Sequence, residues 1–209
     1  MNVAERIAEE KVIAIVRLED LSEARRISEA LLEGGVSVVE FTLTNPDALR
    51  VMEKVREDVE GLSIGAGTVL DEQAAYAAIM AGADFLVTPT VAPGVVGQGL
   101  RYGVPVICGG MTPTELLHAH SLGCEMVKVF PAGALGPGYL KDLRGPLPQL
   151  KLIPTGGIQV SNVASFLQAG AVAVGVGSAL VSTGKSPKQI AETAAQFATE
   201  ARRPIRELG

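Results

Sequence analysis

Short apolar runs alternate with longer amphipathic stretches along the whole chain. The longer stretches, such as residues 22–33 and 46–59, carry apolar side chains at three- and four-residue spacing, which predicts helices. The short runs are rich in β-branched residues and predict strands. The eight predicted strands are residues 12–16, 38–43, 62–64, 85–87, 105–108, 126–130, 152–153 and 171–174.

These eight strand–helix units follow one another without a long linker, so we expect one domain over residues 1–209. Eight parallel units in about 200 residues fit a single-domain α/β fold, the (β/α)₈ TIM barrel. The alternative is a doubly wound open sheet, which usually has fewer strands and a glycine-rich first turn. Arg17 and Leu18 follow the first predicted strand where a GxGxxG motif would stand, and the count of eight units favours the barrel.

Composition narrows the class of protein. The chain is 47% hydrophobic and 20% charged, which excludes a disordered chain. Its formal net charge of −5 argues against nucleic acid or an anionic membrane as the main partner. No apolar run reaches the roughly 18 residues of a membrane span, and no signal-peptide pattern is present. We therefore expect a cytoplasmic protein.

Neither a metal site nor a disulfide is predicted. Cys108 and Cys124 form no CxxC pair. His118 and His120 are two positions apart on a predicted helix, where side chains do not face each other. No metal and no other cofactor is expected from these patterns.

Two charged residues stand inside strands that should be buried on both faces. Glu40 alternates with Val39 and Phe41, which predicts that it points into the barrel while its neighbours face the helices. Lys128 lies between Val127 and Val129 in the same way. A charge buried without compensation is costly, so both positions need an explanation.

Burial lowers the pKa of a lysine and leaves a free amine, which can attack a carbonyl carbon. Lys128 is therefore a candidate nucleophile for Schiff-base chemistry, with Glu40 as general acid and base. The alternative is that Lys128 and Glu40 form a structural ion pair across the barrel.

Two glycine-containing segments follow the seventh and eighth predicted strands, PTGGI at residues 154–158 and GVGSA at residues 175–179. TIM barrels often bind phosphate in these two loops, at the start of a short helix. Backbone N–H groups of Gly156, Gly157 and Gly177 and the Ser178 hydroxyl are candidate phosphate ligands.

Five segments together resemble the 2-keto-3-deoxy-6-phosphogluconate (KDPG) and 4-hydroxy-2-oxoglutarate (KHG) aldolase family. They are EFTLT at 40–44, GAGTV at 65–69, VKVFPA at 127–132, PTGGI at 154–158 and GVGSAL at 175–180. The resemblance implies a (β/α)₈ barrel, a homotrimer, no metal requirement and a phosphorylated keto acid as substrate.

The resemblance also implies residue roles. Lys128 matches the Schiff-base lysine and Glu40 the general acid/base of the family. Thr44 stands where many members carry an arginine. With the loop residues above, the predicted substrate-binding set is Arg17, Thr68, Pro89, Thr155, Gly156, Gly157, Gly177 and Ser178.

The implied reaction is cleavage of KDPG to pyruvate and glyceraldehyde 3-phosphate, with KHG cleavage to pyruvate and glyoxylate as a second activity. One alternative is another phosphate-binding barrel without a lysine imine, such as an isomerase, a decarboxylase or a thiamine phosphate synthase relative. Another is a sugar-phosphate binding protein without catalysis.

Overall fold

Eight parallel strands alternate with helices in the computed structural model, which describes residues 2–204. The strands are β1 (Val12–Val16), β2 (Val38–Thr42), β3 (Ser63–Gly67), β4 (Phe85–Val87), β5 (Val106–Gly110), β6 (Met126–Val129), β7 (Lys151–Pro154) and β8 (Val174–Val176). The helices are α1 (Val3–Glu10), α2 (Ala24–Glu33), α3 (Ala48–Asp58), α4 (Glu72–Met80), α5 (Pro93–Tyr102), α6 (Pro113–Ser121), α7 (Gly136–Arg144), α8 (Val163–Gln168) and α9 (Pro187–Ala201).

Neighbouring strands pair in chain order, and β8 returns to pair with β1. The ring closes between β7 and β8 through one parallel bridge, Thr155 with Gly175, and a bond of 3.0 Å from the Val172 N–H to the Leu152 carbonyl. The predicted TIM barrel is therefore confirmed, and the open sheet is excluded. No helix within residues 2–204 is both long and apolar enough to cross a membrane.

Several predicted boundaries were wrong. β3 begins at Ser63 and runs through a glycine-rich segment to Gly67, whereas the prediction ended it at residue 64. β8 begins at Val174, three residues later than predicted, so Gly175 belongs to the strand and not to the loop. Helix α1 was not predicted, although Asn2 and Glu5 form a capping box at its start.

The alternation within each strand separates two apolar regions. Val39, Phe41, Val127 and Val129 face outward and pack in the large core beneath the helices. The inward-facing residues form a second cluster inside the barrel, which Ile7 of α1 closes from below. This inner cluster consists of Ile7, Ile13, Val38, Phe85, Val87, Ile107, Met126, Ile153 and Ala173.

The strand register sorts the inward-facing residues into layers, since the shear of such a ring is about eight residues. Two apolar layers lie at the bottom: Val38, Phe85, Met126 and Ala173, then Ile13, Gly65, Ile107 and Ile153. Above them, the charged layer contains Glu40, Val87, Lys128 and Gly175. The open layer follows, with Ile15, Gly67, Gly109 and Thr155. Glu40 and Lys128 therefore lie at one height, on opposite strands.

Candidate active site

Glu40 lies at the centre of β2 with its carboxyl group inside the barrel. The side chain is 2% exposed, and Oε1 has no hydrogen-bond partner among the residues that the structure describes. Gly67 on the neighbouring strand makes room for it, because a Cβ at Gly67 would lie 1.7 Å from Oε1. The Glu40 carboxyl group can therefore occupy this position only because residue 67 has no side chain.

Lys128 enters the same interior from β6. The residue is 4% exposed, and its Nζ lies 4.9 Å from the centroid of the Phe130 ring, which follows it on the same face of the chain. No direct ion pair joins Lys128 to Glu40 within residues 2–204. A structural salt bridge between them, the alternative considered above, is therefore absent from this arrangement.

Burial shifts the pKa of Glu40 and that of Lys128 in the directions that favour the neutral form of each group. It lowers the pKa of Lys128, while the charge of Glu40 opposes this shift and that of Arg17 adds to it. It raises the pKa of Glu40 against the opposing influence of Lys128 and Arg17. A free amine and a protonated carboxyl are favoured together, which suits a nucleophile and a proton donor.

A cleft of about 420 Å³ opens above these groups at the carboxyl ends of β6, β7, β8 and β1. Phe130 forms part of its wall and connects it to Lys128. Six of the predicted substrate-binding residues line the cleft: Arg17, Thr155, Gly156, Gly157, Gly177 and Ser178. The residues predicted from two separate loops and from the first strand therefore meet in one place.

The loop after β8 does not form the short helix that often follows this strand in TIM barrels. Residues 178–180 form a single turn, in which the N–H groups of Leu180 and Val181 both donate to the Gly177 carbonyl at 2.9 Å. Gly156 and Gly157, in the loop after β7, have φ values of 86° and 74°, which favour glycine.

Two predicted residues lie elsewhere on the barrel mouth. Thr68 and Pro89 follow β3 and β4 and do not line the cleft. Thr68 adopts a positive φ of 57°, a strained conformation of the kind often found at functional sites. Thr44 stands where many family members carry an arginine. Its hydroxyl is hydrogen bonded to that of Thr42 at 2.9 Å.

Sequence reasoning gave no role to Gly67, Gly109 or Phe130. The two glycines occupy the open layer, where a Cβ at Gly109 would lie 2.4 Å from the Pro89 carbonyl oxygen. The available signal was the alternation itself, since both glycines stand at inward-facing strand positions. Among residues 2–204, no group of three or more potential metal ligands is present.

Comparison with known proteins identifies the family. The family model described as "Aldolase: KDPG and KHG aldolase" matches residues 3–194. The chain belongs to this family. It is therefore an aldolase, and so a lyase, as the resemblance implied.

Curated relatives of this aldolase differ in the sugar acid that they are named for. The 2-dehydro-3-deoxy-phosphogluconate aldolase of Treponema pallidum is 34% identical over 80% of this chain and 80% of its own length. The 2-dehydro-3-deoxy-6-phosphogalactonate aldolase of Escherichia coli is 32% identical, covering 89% of this chain and 92% of its own. Both names specify a phosphorylated keto acid, which is the class of substrate expected for this family.

A solved structure resembles the aldolase closely in fold. It is the KDPG aldolase from Legionella pneumophila with pyruvate captured at low pH as a covalent carbinolamine intermediate. The TM-score is 0.80 at 30% sequence identity, over 93% of this chain and 94% of that one.

Proposed function

We propose that this aldolase cleaves KDPG to pyruvate and glyceraldehyde 3-phosphate through an imine on Lys128. The observation that carries the proposal is the charged layer. Lys128 and Glu40 are buried at one height, form no direct ion pair in the described chain, and lie beneath a cleft lined by anion-binding groups. Covalent capture of pyruvate in the Legionella relative supports the same chemistry.

The first step forms the covalent bond. The neutral amine of Lys128 attacks the C2 carbonyl carbon of the keto acid and gives a carbinolamine. Glu40, whose pKa is raised by burial, donates a proton to the departing hydroxyl, and water leaves. The product is a protonated imine, which can accept an electron pair from the neighbouring carbon.

The second step breaks the C3–C4 bond. The Glu40 carboxylate accepts the proton of the C4 hydroxyl, directly or through one water, as that carbon becomes the aldehyde of glyceraldehyde 3-phosphate. The electron pair of the broken bond moves into the imine and leaves an enamine. Protonation at C3 and addition of water then release pyruvate and regenerate the Lys128 amine.

The cleft residues position the two charged ends of the substrate. We assign the phosphate to Gly156, Gly157, Gly177 and Ser178, whose loops meet across the cleft. The carboxylate is assigned to Thr68 and Pro89, which follow β3 and β4, and to Thr155 at the end of β7. Arg17 supplies positive charge between the two, and it makes no ion pair with any residue in the described range.

Reduction with borohydride in the presence of pyruvate tests the imine. We expect the wild-type protein to gain the mass of one reduced pyruvate, with peptide mapping placing it on Lys128. Lys128→Met should gain nothing, whereas Lys151→Met, which removes an exposed lysine paired with Glu125, should be labelled normally. An unlabelled wild-type protein would instead support a phosphate-binding barrel without an imine.

Substrate preference requires a direct comparison. We propose KDPG as the main substrate and KHG as a second, weaker one, since the family resemblance places Thr155 where the phosphogluconate enzymes, unlike the galactonate enzymes, tend to carry threonine. Measured kcat/KM should be highest for KDPG, lower for its galactonate epimer and lowest for KHG. A higher value for the galactonate epimer would reassign the substrate while leaving the imine intact.

We also propose that the protein assembles as a homotrimer. Within residues 2–204, the exposed large apolar side chains lie on or beside α4, α5 and α6: Leu70, Tyr76, Met80, Leu100, Tyr102, Met111 and Leu117. Leu100 is 66% exposed, and the Tyr76 and Tyr102 rings join α4 to α5 at 5.7 Å between centroids. Several exposed apolar side chains on neighbouring helices are typical of protein interfaces.

Light scattering of the purified protein should give three times the chain mass of 21.7 kDa. We expect Leu100→Asp to lower this mass, while Lys54→Asp on the exposed face of α3 should leave it unchanged. A monomeric wild-type protein would refute the trimer.

The cytoplasmic location expected from the sequence stays a prediction, which fractionation of the source cells would test.

A further inference from the structure

One wall of the cleft is built by the loop between β8 and α9. Gly177, Ser178 and Ala179 line the cleft at the start of this loop, and Val181, Ser182 and Thr183 continue the wall. The loop contains no regular helix or strand. Its shape therefore depends on the few hydrogen bonds that cross it.

The first turn of the loop leaves two donors free. The Leu180 and Val181 N–H groups both donate to the Gly177 carbonyl. The N–H groups of Ser178 and Ala179 have no acceptor anywhere in the part of the chain that the structure describes. Because both residues line the cleft, these two N–H groups are available to a bound anion.

Lys185 closes the turn from the other side. Its Nζ donates to the Ala179 carbonyl at 2.6 Å and to the Leu180 carbonyl at 3.3 Å. These oxygens belong to the same two peptide groups whose N–H groups bond to Gly177. One half-buried ammonium thus fixes the orientation of both peptide planes, and charged donors form the stronger class of hydrogen bond.

We infer that Lys185 is a positioning residue for the phosphate end of the substrate, an inference that rests on the proposed function. It does not line the cleft. It holds the turn in the shape that keeps the Ser178 and Ala179 N–H groups free for the phosphate. Its removal should weaken binding of the phosphate and leave the chemistry at Lys128 unchanged.

The chain provides a matched control. Lys188 lies three residues further on, is exposed on the first turn of α9 and bonds to no atom of the loop. The start of α9 is capped by Ser186 and Gln189, independently of Lys185. A comparison of Lys185→Met with Lys188→Met therefore separates the loss of the Lys185 hydrogen bonds to the loop from the loss of one positive charge.

The test measures KDPG cleavage, competitive inhibition by inorganic phosphate, and the rate of borohydride trapping with pyruvate, which carries no phosphate. For Lys185→Met we expect the KM for KDPG and the inhibition constant of phosphate to rise roughly tenfold, the effect of losing a charged hydrogen-bonded contact. The kcat and the trapping rate should stay near the wild-type values. Lys185→Arg should recover most of the loss.

Equal constants for Lys185→Met and Lys188→Met would overturn the inference. So would a fall in pyruvate trapping as large as the rise in KM, because that pattern indicates general damage to the fold. A wild-type protein that is neither inhibited by phosphate nor labelled by pyruvate would refute the proposed function instead, so the two failures are distinguishable.

Discussion

The lower and upper halves of the barrel interior are built on the same eight strands and differ completely in character. Below, the two apolar layers pack side chains such as Ile13, Phe85 and Met126, each at most 3% exposed, and they contain no buried charge. Above, the charged layer holds the Lys128 amine and the Glu40 carboxyl group, and the open layer contains two glycines. The lower half stabilises the fold, whereas the upper half keeps reactive groups and space at the expense of stability.

One strand can contribute both to stability and to the reactive site. In β2, Val38 belongs to an apolar layer and Glu40, two positions later, to the charged layer. Both side chains point inward because the strand period is two. Function is thus confined to the carboxyl ends of the strands, where the substrate enters, and stability to the amino ends.

Glu40→Gln should give the largest change in activity. We expect kcat to fall about 10²–10⁴-fold, the usual contribution of a general acid/base. The melting temperature should stay equal or rise. Because burial raises the pKa of Glu40, the folded state resists ionisation, and wild-type stability declines as the pH rises from the unfolded pKa toward the folded one. Glutamine removes this loss at neutral pH.

Kinetics and thermal unfolding of this variant check the prediction together. A structural ion pair with Lys128 would give the opposite stability result, a loss of about 3–5 kcal/mol.

Gly67→Ala should give the next largest effect. The new Cβ would lie 1.7 Å from Oε1 of Glu40, so the carboxyl group must move. We expect kcat to fall about 10²-fold, the cost of a misplacement of roughly 1 Å. Gly138→Ala on α7 is the control, since a Cβ there meets nothing within 4 Å. Unchanged kcat in Gly67→Ala would show that the position of Glu40 is not critical.

Ile13→Ala tests the lower half. Removal of this buried side chain should cost about 2–5 kcal/mol of stability, measured by urea unfolding. The kcat of the folded protein should stay near the wild-type value, because Ile13 lies below the charged layer. A large fall in kcat without loss of stability would contradict the assignment of stability to the lower half and catalysis to the upper half.

Arg17→Gln should give the smallest effect on the chemistry at Lys128, a shift in the pH dependence of imine formation. The Arg17 charge lowers the pKa of Lys128, so its removal raises this pKa and reduces the fraction of free amine at a given pH. The acid limb of the pyruvate-trapping rate, measured at saturating pyruvate, should therefore move to higher pH. Arg50→Gln, which removes an exposed arginine paired with Asp47, should leave the limb in place. A shift to lower pH would contradict the assignment.

The sequence predicts the charged layer better than the layers around it. Glu40 and Lys128 stand out because a charge inside an apolar strand is rare, and their inward direction follows from alternation alone. Their common height does not follow, since it depends on the register of all eight strands. The prediction also missed the end of β3, because glycines are unfavourable in strands and Gly65 and Gly67 resemble a loop.

Other features have no sequence signal of this kind. Lys185 lies in an ordinary polar loop, and only the folded chain shows which carbonyl groups its amine contacts. The capping box of α1 was readable from Asn2 and Glu5, but a helix of eight residues before the first strand has no place in the repeating pattern.

The closure of the barrel between β7 and β8 has a consequence for ligand binding. Within the described chain, only one parallel bridge, Thr155 with Gly175, and the Val172–Leu152 hydrogen bond join the two sides of this seam, so we expect it to open first in local unfolding. Gly156 and Gly157 lie on one side of the seam and Gly177 and Ser178 on the other. A phosphate held by both pairs would fasten the two sides together, and amide hydrogen exchange along β7 and β8 should slow more than elsewhere when substrate is bound.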